Sequence, residues 1–285
     1  MSTVAVVLPV YQSDIDPHGA IALASLRRHL PEVPRIIVKP EGLKLRYPSG
    51  DFQTIVLDPA HFISLQSYSN LLMTPEFYRL FSDYTYILLY QLDCLLLRGD
   101  LIDWCDRGYS YIGSPWLSKD WRRRKRIPRS VGNGGLSLRH VGDFLDALES
   151  PEFHGFPTSR QGWRFFLTKP KWWRLLQDCR RQASELSTRK GRPVGESAGR
   201  VFPLAEDVFW SFFAPQLHPG MRFPDPREAL DFAIESQPAH MVRLNGGRLP
   251  FGTHAWYKMD EAFWRDRLAG TNLLDDAMGT LETVT

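Results

Sequence analysis

The chain has 285 residues, of which 43% are hydrophobic and 24% charged, so it can bury a full core as one large domain or one domain with an appendage. With no run near the roughly 20 uncharged apolar residues of a spanning helix, and no basic leader before Val4, we expect a cytoplasmic protein. The net charge is only +3, and the three cysteines have an odd count and no metal-site spacing, which predicts reduced thiols with neither zinc nor a disulfide.

The first third of the chain alternates between strand and helix patterns. The β-branched run from Val4 to Val10 predicts a strand, and near-helical apolar spacing predicts a helix over residues 18–29. Further strands are expected at 35–39 and 53–57, followed by a helix over 65–73 and a second helix that begins with proline after Thr74. This order indicates an α/β sandwich around a mostly parallel sheet.

The segment from Tyr86 to Leu97 is an apolar run with one carboxylate, Asp93. Read as a strand, it is a central strand covered on both faces. A carboxylate in such a run is costly unless it lies at the mouth of a site and pairs with a metal, a cation or a polar ligand. Ligands bind at the carboxyl ends of parallel strands, so Asp93 is the first candidate site residue. The plainer alternative is an acid that caps a turn or pairs with an arginine.

The middle of the chain contains a loop and a glycine-rich strand start. A helical turn is expected at 100–105 and a strand at 109–113, and then a loop with Trp116 and a basic cluster at 122–126. Asn133, Gly134 and Gly135 precede an apolar strand that starts at Leu136, which leaves the backbone open to close approach. A simple glycine bulge or hairpin turn would give the same pattern.

The second half contributes an acid pair and a histidine. Residues 150–200 are basic and rich in tryptophan, and we interpret them as a helical insertion in a domain spanning 1–269. Glu206 and Asp207 open a helix, where acids are favourable on dipole grounds alone. A strand at 239–244, a loop with His254, a short helix at 261–268 and a flexible tail at 270–285 complete the prediction.

Taken in order, these motifs resemble an uncharacterised bacterial and fungal family related to nucleotide-sugar glycosyltransferases of the GT-A type. The order of the motifs is more specific than any one of them. The resemblance implies a GT-A-like, Rossmann-like α/β/α sandwich with a mostly parallel central sheet and a basic helical insertion. The matching segments are 68–73, 89–93, 113–116, 133–139, 206–208 and 252–256.

The resemblance also implies a place for a divalent metal. GT-A enzymes hold Mn²⁺ or Mg²⁺ against the donor diphosphate with an Asp-x-Asp motif, and the matching residues here are Gln91, Leu92 and Asp93. One carboxylate and one amide can still ligate such an ion through oxygen, because the ion keeps waters and takes phosphate oxygens as ligands. His254 matches the position of a late metal or diphosphate ligand. A metal-independent enzyme is the alternative, since one formal charge is missing.

The remaining roles follow from the same resemblance. Asp207 is the expected catalytic base of an inverting transfer, with Glu206 as a substitute or as a group that orients the acceptor; a retaining mechanism stays open. Donor or acceptor sugar is expected to lie against Gly134 and Gly135, with a hydroxyl bound by Asn133. Trp116 and Trp256 offer flat apolar faces for a sugar ring or base, although tryptophan is also an ordinary core residue. Arg124 and its basic neighbours could close over the diphosphate or be a solvated loop.

Three functions compete at this stage. The first is a glycosyltransferase that moves a sugar from a nucleoside diphosphate to a polysaccharide, a lipid-linked oligosaccharide or a small acceptor. Its basic and tryptophan-rich segments would allow peripheral contact with the inner face of a membrane. The second is a polyanion or nucleic-acid binder, although no recognised nucleic-acid module is present and no nucleic-acid partner is expected. The third is a nucleotidyltransferase, although no basic, glycine-rich loop follows the first strand.

Overall fold

The structure, a computed structural model, describes residues 3–120, 125–154, 205–273, 276 and 277. Its strands are β1 (Val4–Pro9), β2 (Arg35–Pro40), β3 (Gln53–Leu57), β4 (Tyr86–Tyr90), β5 (Leu95–Leu96), β6 (Tyr111–Gly113), β7 (Pro115–Asp120), β8 (Lys125–Val131), β9 (Leu136–His140), β10 (Ala233–Ile234) and β11 (Gly252–Thr253).

The helices fall in two groups, before and after the undescribed residues 155–204. The first group is α1 (Pro17–His29), a 3₁₀ turn (Pro59–Phe62), α2 (Leu65–Leu71), α3 (Pro75–Arg79), α4 (Leu101–Asp106), α5 (Val141–Glu149) and α6 (Pro151–His154). The second group is α7 (Glu206–Val208), a π turn (Phe209–Phe213), α8 (Ala214–Leu217), α9 (Ala229–Phe232), α10 (Pro238–Leu244) and α11 (Trp256–Leu268). Within these ranges no helix has both the length and the apolar character to cross a membrane.

Six of the described strands form the main sheet, in the order β3-β2-β1-β4-β9-β6. Strands β3, β2, β1 and β4 pair in parallel, and β9 runs antiparallel between β4 and β6. This confirms the predicted α/β fold with a mostly parallel sheet. The chain builds β2 and β3 on one side of β1 and then returns to place β4 on the other side. A crevice therefore opens outside the carboxyl ends of β1 and β4, where open α/β sheets bind ligands.

Burial explains why these two strands are central. Every residue of β1 and of β4 is buried, as expected for strands covered on both faces. Helix α1 begins after β1, and Asp16 caps it by accepting a hydrogen bond from the Gly19 amide at 2.7 Å. Pro17 occupies its first position, where a missing N–H has no cost. The strand end and the helix start thus form a fixed wall at the crevice.

The predicted strand from Tyr86 to Leu97 is in fact two strands. β4 ends at Tyr90, and a turn follows in which the Cys94 amide donates to the Gln91 carbonyl at 2.9 Å. Leu95 and Leu96 then leave the main sheet and pair with β11 in a separate three-stranded sheet. Asp93 therefore lies in a turn just beyond the central strand, and the pairing with β11 brings the His254 loop beside it.

Two other local predictions need correction. The loop expected around Trp116 is an antiparallel hairpin of β7 and β8. The strand expected at 239–244 is helix α10, which has Pro238 at its first position and buries Met241 and Val242. Within the predicted flexible tail, Leu273 and Ala277 are buried in a cluster around Trp256 and Trp264. The predicted insertion falls mainly on residues 155–204, outside the described part of the chain.

Candidate functional site

A pocket of about 620 Å³ lies in the crevice at the carboxyl ends of β1 and β4. One wall is the segment that leaves β1, residues 9–16, and another is residues 62–65 before and at the start of α2. The turn after β4 contributes residues 91–93, and the start of α11 contributes Tyr257 and Lys258. The pocket therefore occupies the place that the sheet topology predicts for a ligand.

Asp93 lies at the inner end of this pocket between two cationic groups. It is 9% exposed, and its Oδ2 is 2.6 Å from the Lys258 ammonium. Its Oδ1 is 3.3 Å from Nε2 of His254. Burial alone would raise the pKa of Asp93, but His254 and Lys258 outweigh burial and hold it well below its usual range. Asp93 is therefore a carboxylate at any physiological pH.

His254 is held between carboxylates on both sides of its ring. Its Nδ1 is 3.2 Å from Glu235 Oε1, and its Nε2 faces both Asp93 and the Gln91 side-chain oxygen, which is 3.3 Å away. Burial alone would lower the pKa of His254, but Asp93 and Glu235 raise it to about 10. The backbone fixes this arrangement, because the Trp256 amide donates to the Asp93 carbonyl at 3.1 Å.

A divalent cation would have to displace the Nε2 proton of His254, because the raised pKa keeps the imidazole protonated and only the neutral ring has a free lone pair. Asp93 Oδ1 is buried and receives no hydrogen bond of good geometry from the described residues, and the Gln91 side-chain oxygen lies within hydrogen-bonding distance of the same imidazole nitrogen. Carboxylate and amide oxygens suit Mg²⁺ or Mn²⁺, and the Glu235 carboxylate behind the ring is the usual outer partner of a metal-binding histidine. No three His, Cys, Asp or Glu side chains of the described residues form a metal-binding group, so the third protein donor here would be an amide.

Gly134 and Gly135 separate this cluster from the acid pair. A Cβ on Gly135 would lie 2.2 Å from His254 Nε2, and a Cβ on Gly134 would lie 2.2 Å from Glu206 Oε1. The two missing side chains thus leave room for the protein's own His254 and Glu206. Asn133 adopts a left-handed conformation with φ of 68°, and its side-chain oxygen accepts a hydrogen bond from the Gly135 amide at 3.0 Å. That oxygen shapes the turn, and the contact of Asn133 with a sugar hydroxyl stays a prediction.

Glu206 is part of a buried ionic network. Its Oε1 accepts a hydrogen bond from Arg139 at 2.8 Å, and neither side chain is more than 6% exposed. The Arg139 guanidinium also donates to the Tyr78 hydroxyl at 2.8 Å and to the Ser137 hydroxyl at 3.0 Å. Breaking such a pair leaves an uncompensated buried charge. Glu206 is thereby fixed in place and joined to the core of the sheet.

Asp207 has a different environment from its neighbour. Its Oδ2 accepts a hydrogen bond from the Gly134 amide at 3.3 Å, and its Oδ1 is buried without a hydrogen-bond partner among the described residues. Burial, followed by the negative charge of Glu206, raises the pKa of Asp207 to about 7. A carboxyl group with this pKa can accept or donate a proton near neutral pH. Asp207 is not among the described residues that line the pocket; its carboxylate is bonded to the Gly134 amide, while His254 lies against Gly135.

The predicted aromatic and basic contacts divide into three outcomes. Trp116 is half-buried, and its indole N–H donates to the Ser211 hydroxyl at 3.0 Å. Trp256 is completely buried, so the prediction that it offers a face to a ligand is wrong. Its backbone position at the start of α11 is what places it next to Asp93. Arg124 lies outside the described residues.

The sequence did not single out four residues that define the site. Lys258 contacts Asp93, and Glu235 contacts His254. Arg139 forms an ion pair with Glu206, and Tyr68 lines the pocket. Lys258 follows His254 by four residues, which was a usable signal once His254 was a candidate. Glu235 carried no local signal, because it reaches His254 only through the pairing of β10 with β11.

The comparisons with known proteins agree with this architecture. Residues 51–254 match the family described as "Protein of unknown function (DUF5672)", and because this is more than half of the chain, the protein belongs to that family. No curated protein matches the chain.

Among solved structures, the galactosyltransferase LgtC, in complex with donor and acceptor sugar analogues, is similar with a TM-score of 0.50 and 11% identity, over 97% of this chain and 96% of LgtC. Mouse xyloside xylosyltransferase 1 is similar with a TM-score of 0.45 and 13% identity, over 88% of this chain and 97% of that one. The likeness to LgtC shows the fold, which is a GT-A, Rossmann-like α/β fold.

Proposed function

We propose that this protein is a glycosyltransferase that takes a sugar from a nucleoside diphosphate and transfers it to a hydroxyl of a glycan or another acceptor. One observation carries the proposal. The pocket at the switch point of a GT-A sheet contains Asp93, His254 and Lys258, and Asp207, with its pKa near 7, is bonded to the amide of Gly134, the neighbour of the Gly135 against which His254 lies.

The pocket suits a nucleotide with its phosphates at the inner end. Tyr11, at the mouth, is 66% exposed and presents an aromatic ring on which a nucleobase can stack. At the inner end, Lys258 keeps donors beyond the one used on Asp93, and its ammonium would neutralise the diphosphate. Asp93, Gln91 and a His254 that has released its Nε2 proton would hold a divalent cation, which adds positive charge next to the diphosphate oxygens when bound.

Asp207 is the residue we assign as base. It takes the proton of the acceptor hydroxyl while that oxygen forms a bond to the anomeric carbon of the donor sugar. The bond from this carbon to the diphosphate oxygen breaks, and the nucleoside diphosphate leaves with the electron pair. Attack opposite the leaving group inverts the anomeric centre. Glu206 cannot serve equally, because Arg139 already neutralises it; its role is to raise the pKa of Asp207.

The test is thermal stabilisation by a panel of nucleoside diphosphates and nucleotide sugars, with and without Mn²⁺. A ligand present at a hundred times its dissociation constant stabilises the native state by about 2.7 kcal/mol. We expect one nucleotide family to raise the melting temperature of the wild type, and Asp93→Asn and Lys258→Met to lose most of that shift. Arg265→Met is the matched control, since it also removes a cation of α11 that is paired with a carboxylate, away from the pocket.

Two results would contradict the proposal. One is an unchanged melting temperature with every nucleotide, above all if polyanions bind with strong salt dependence, which would favour a polyanion-binding protein. The other is a nucleotide shift that Asp93→Asn and Lys258→Met leave intact, because the nucleotide would then bind elsewhere.

A further inference from the structure

The backbone of Asp207 is linked to the glycine turn, residues 132–135. This link is separate from the hydrogen bond between the Asp207 carboxylate and the Gly134 amide. The Ser211 hydroxyl, on the π turn after α7, donates to the Asp207 carbonyl at 2.6 Å. The same hydroxyl accepts a hydrogen bond from the Trp116 indole N–H at 3.0 Å. The directions are fixed, because an indole N–H can only donate and a hydroxyl has a single proton. Trp116, Ser211 and Asp207 therefore form one directed chain.

The chain returns to the glycine turn through Gly132. A Cβ at this position would lie only 1.2 Å from the Trp116 indole nitrogen, so only glycine lets the indole cross the backbone there. Gly132 is two residues before Gly134, whose amide holds the Asp207 carboxylate. Asp207 is thus fixed to the same turn twice, through its side chain to Gly134 and through its carbonyl by way of Ser211 and Trp116.

The π turn interrupts the regular α-helical hydrogen bonding shortly after Asp207. The Ala214 amide donates to the Phe209 carbonyl, five residues earlier. The helical turn after α7 is therefore a π turn, which is wider than an α-helical turn. Helix α7 itself has only three residues and no side-chain cap. The bond from Gly134 to the Asp207 carboxylate is long, at 3.3 Å, and is a weak restraint on its own.

We infer that Trp116 and Ser211 are positioning residues that hold Asp207 against the Gly134 amide. An effect of Trp116 and Ser211 on catalysis rests on the proposed function, in which Asp207 is the base. Their structural link to Asp207 is independent of that function. The inference also gives Trp116 a role inside the protein, in place of the ligand contact that the sequence suggested. Misplacing a catalytic group by about 1 Å can cost roughly a hundredfold in rate.

The experiment compares Trp116→Phe and Ser211→Ala with a matched control, Trp210→Phe. Trp210 lies in the same π turn and is fully buried, but its indole nitrogen has no hydrogen-bond partner among the described residues. The first readout is the ¹³C NMR titration of the Asp207 carboxyl, assigned with Asp207→Asn, which requires no substrate. The second is the rate of donor consumption beside the melting shift with nucleotide.

We expect both test variants to move the Asp207 titration midpoint downward, because a released carboxylate escapes burial and the charge of Glu206, and each of these affects its pKa more than the lost Gly134 hydrogen bond, which acts in the opposite direction. We expect turnover to fall by roughly ten- to a hundredfold while the nucleotide shift is unchanged, and the double variant to be no worse than either single one. Trp210→Phe should leave the midpoint where it is.

An unmoved midpoint in both test variants would overturn the inference, and so would an equal displacement in Trp210→Phe. If the midpoint moves as expected but the wild type consumes no nucleotide sugar, the link between Trp116 and Asp207 stands and the proposed function fails.

Discussion

Asp93 and Asp207 both lie near Gly134 and Gly135, yet their surroundings drive their pKa values in opposite directions. Asp93 is flanked by His254 and Lys258, which keep it ionised. Asp207 lies beside Glu206, which forms an ion pair with Arg139. Burial and the charge of Glu206 raise the pKa of Asp207 to about 7. One aspartate is thus a permanent charge suited to binding cations, and the other can exchange a proton near neutral pH. Such a divergence between neighbouring acids is how active sites separate electrostatic and proton-transfer roles.

The largest expected effect comes from removing the proton acceptor alone. Asp207→Asn keeps the size of the side chain but cannot take a proton, so we expect donor turnover to fall by roughly 10²- to 10⁴-fold. Nucleotide binding, measured as the melting shift, should be unchanged because Asp207 is not among the described residues that line the pocket. A variant that retains full turnover would remove Asp207 from the chemistry and leave the comparison purely structural.

The next effect is on stability and concerns the cation that neutralises Glu206. Arg139→Met leaves Glu206 buried and unpaired, so we expect a loss of about 3–5 kcal/mol in the free energy of unfolding, measured by denaturant titration. The double variant Arg139→Met with Glu206→Met should recover most of that loss, because it removes both charges. Failure of the second change to restore stability would mean that packing, and not charge, dominates at Arg139.

A third prediction uses pH to separate the two aspartates. The pKa of Asp207 is raised from 3.8 to about 7 on folding, so the native state holds a proton that the unfolded chain releases. This stabilisation is present below pH 4 and is lost as the pH rises to 7, by up to roughly 4 kcal/mol. Asp207→Asn lacks this dependence.

The matching measurement is chemical denaturation of the wild type and Asp207→Asn across that pH range. The two proteins should have similar stability near pH 4, and Asp207→Asn should become the more stable one as the pH approaches 7. Groups that do not interact with Asp207 contribute equally to both curves, so the difference reports Asp207 together with its interaction with Glu206 and Glu235. A constant difference between the curves would show that the Asp207 pKa is the same in the folded and unfolded states.

Many of the helices and strands could be predicted from the sequence, because local patterns of apolar residues determine them. The uninterrupted apolar runs of β1 and β4 mark strands buried on both faces, and Asp93 is conspicuous as the one acid in such a run. The prediction failed at 239–244, where an apolar stretch of strand length follows Pro238, a residue that fits the first turn of a helix equally well.

The residues around the candidate site were harder to predict from the sequence, because they meet through strand pairings that leave no local sequence signal. β5, β10 and β11 have two residues each, and their pairing alone brings Glu235 and Lys258 to the turn after β4. Arg139 appeared in sequence as one alternating residue of an apolar strand. Its burial follows from meeting Glu206, which is 67 positions away in the chain. Charge partners across such separations are set by tertiary packing.

The smallest expected effects, and the sharpest test of the comparison, come from the two glycines themselves. An added methyl group in a packed site typically costs about 1–3 kcal/mol of stability, so Gly134→Ala and Gly135→Ala should be similar in that respect. Their functional effects should differ. Gly135→Ala displaces His254, so it should weaken the nucleotide and Mn²⁺ melting shifts and leave the Asp207 titration in place. Gly134→Ala displaces Glu206, so it should move the Asp207 titration and spare the nucleotide shift. If either alanine alters both readouts equally, Asp93 and Asp207 belong to one coupled cluster, and the separation of a binding acid from a proton-accepting acid fails.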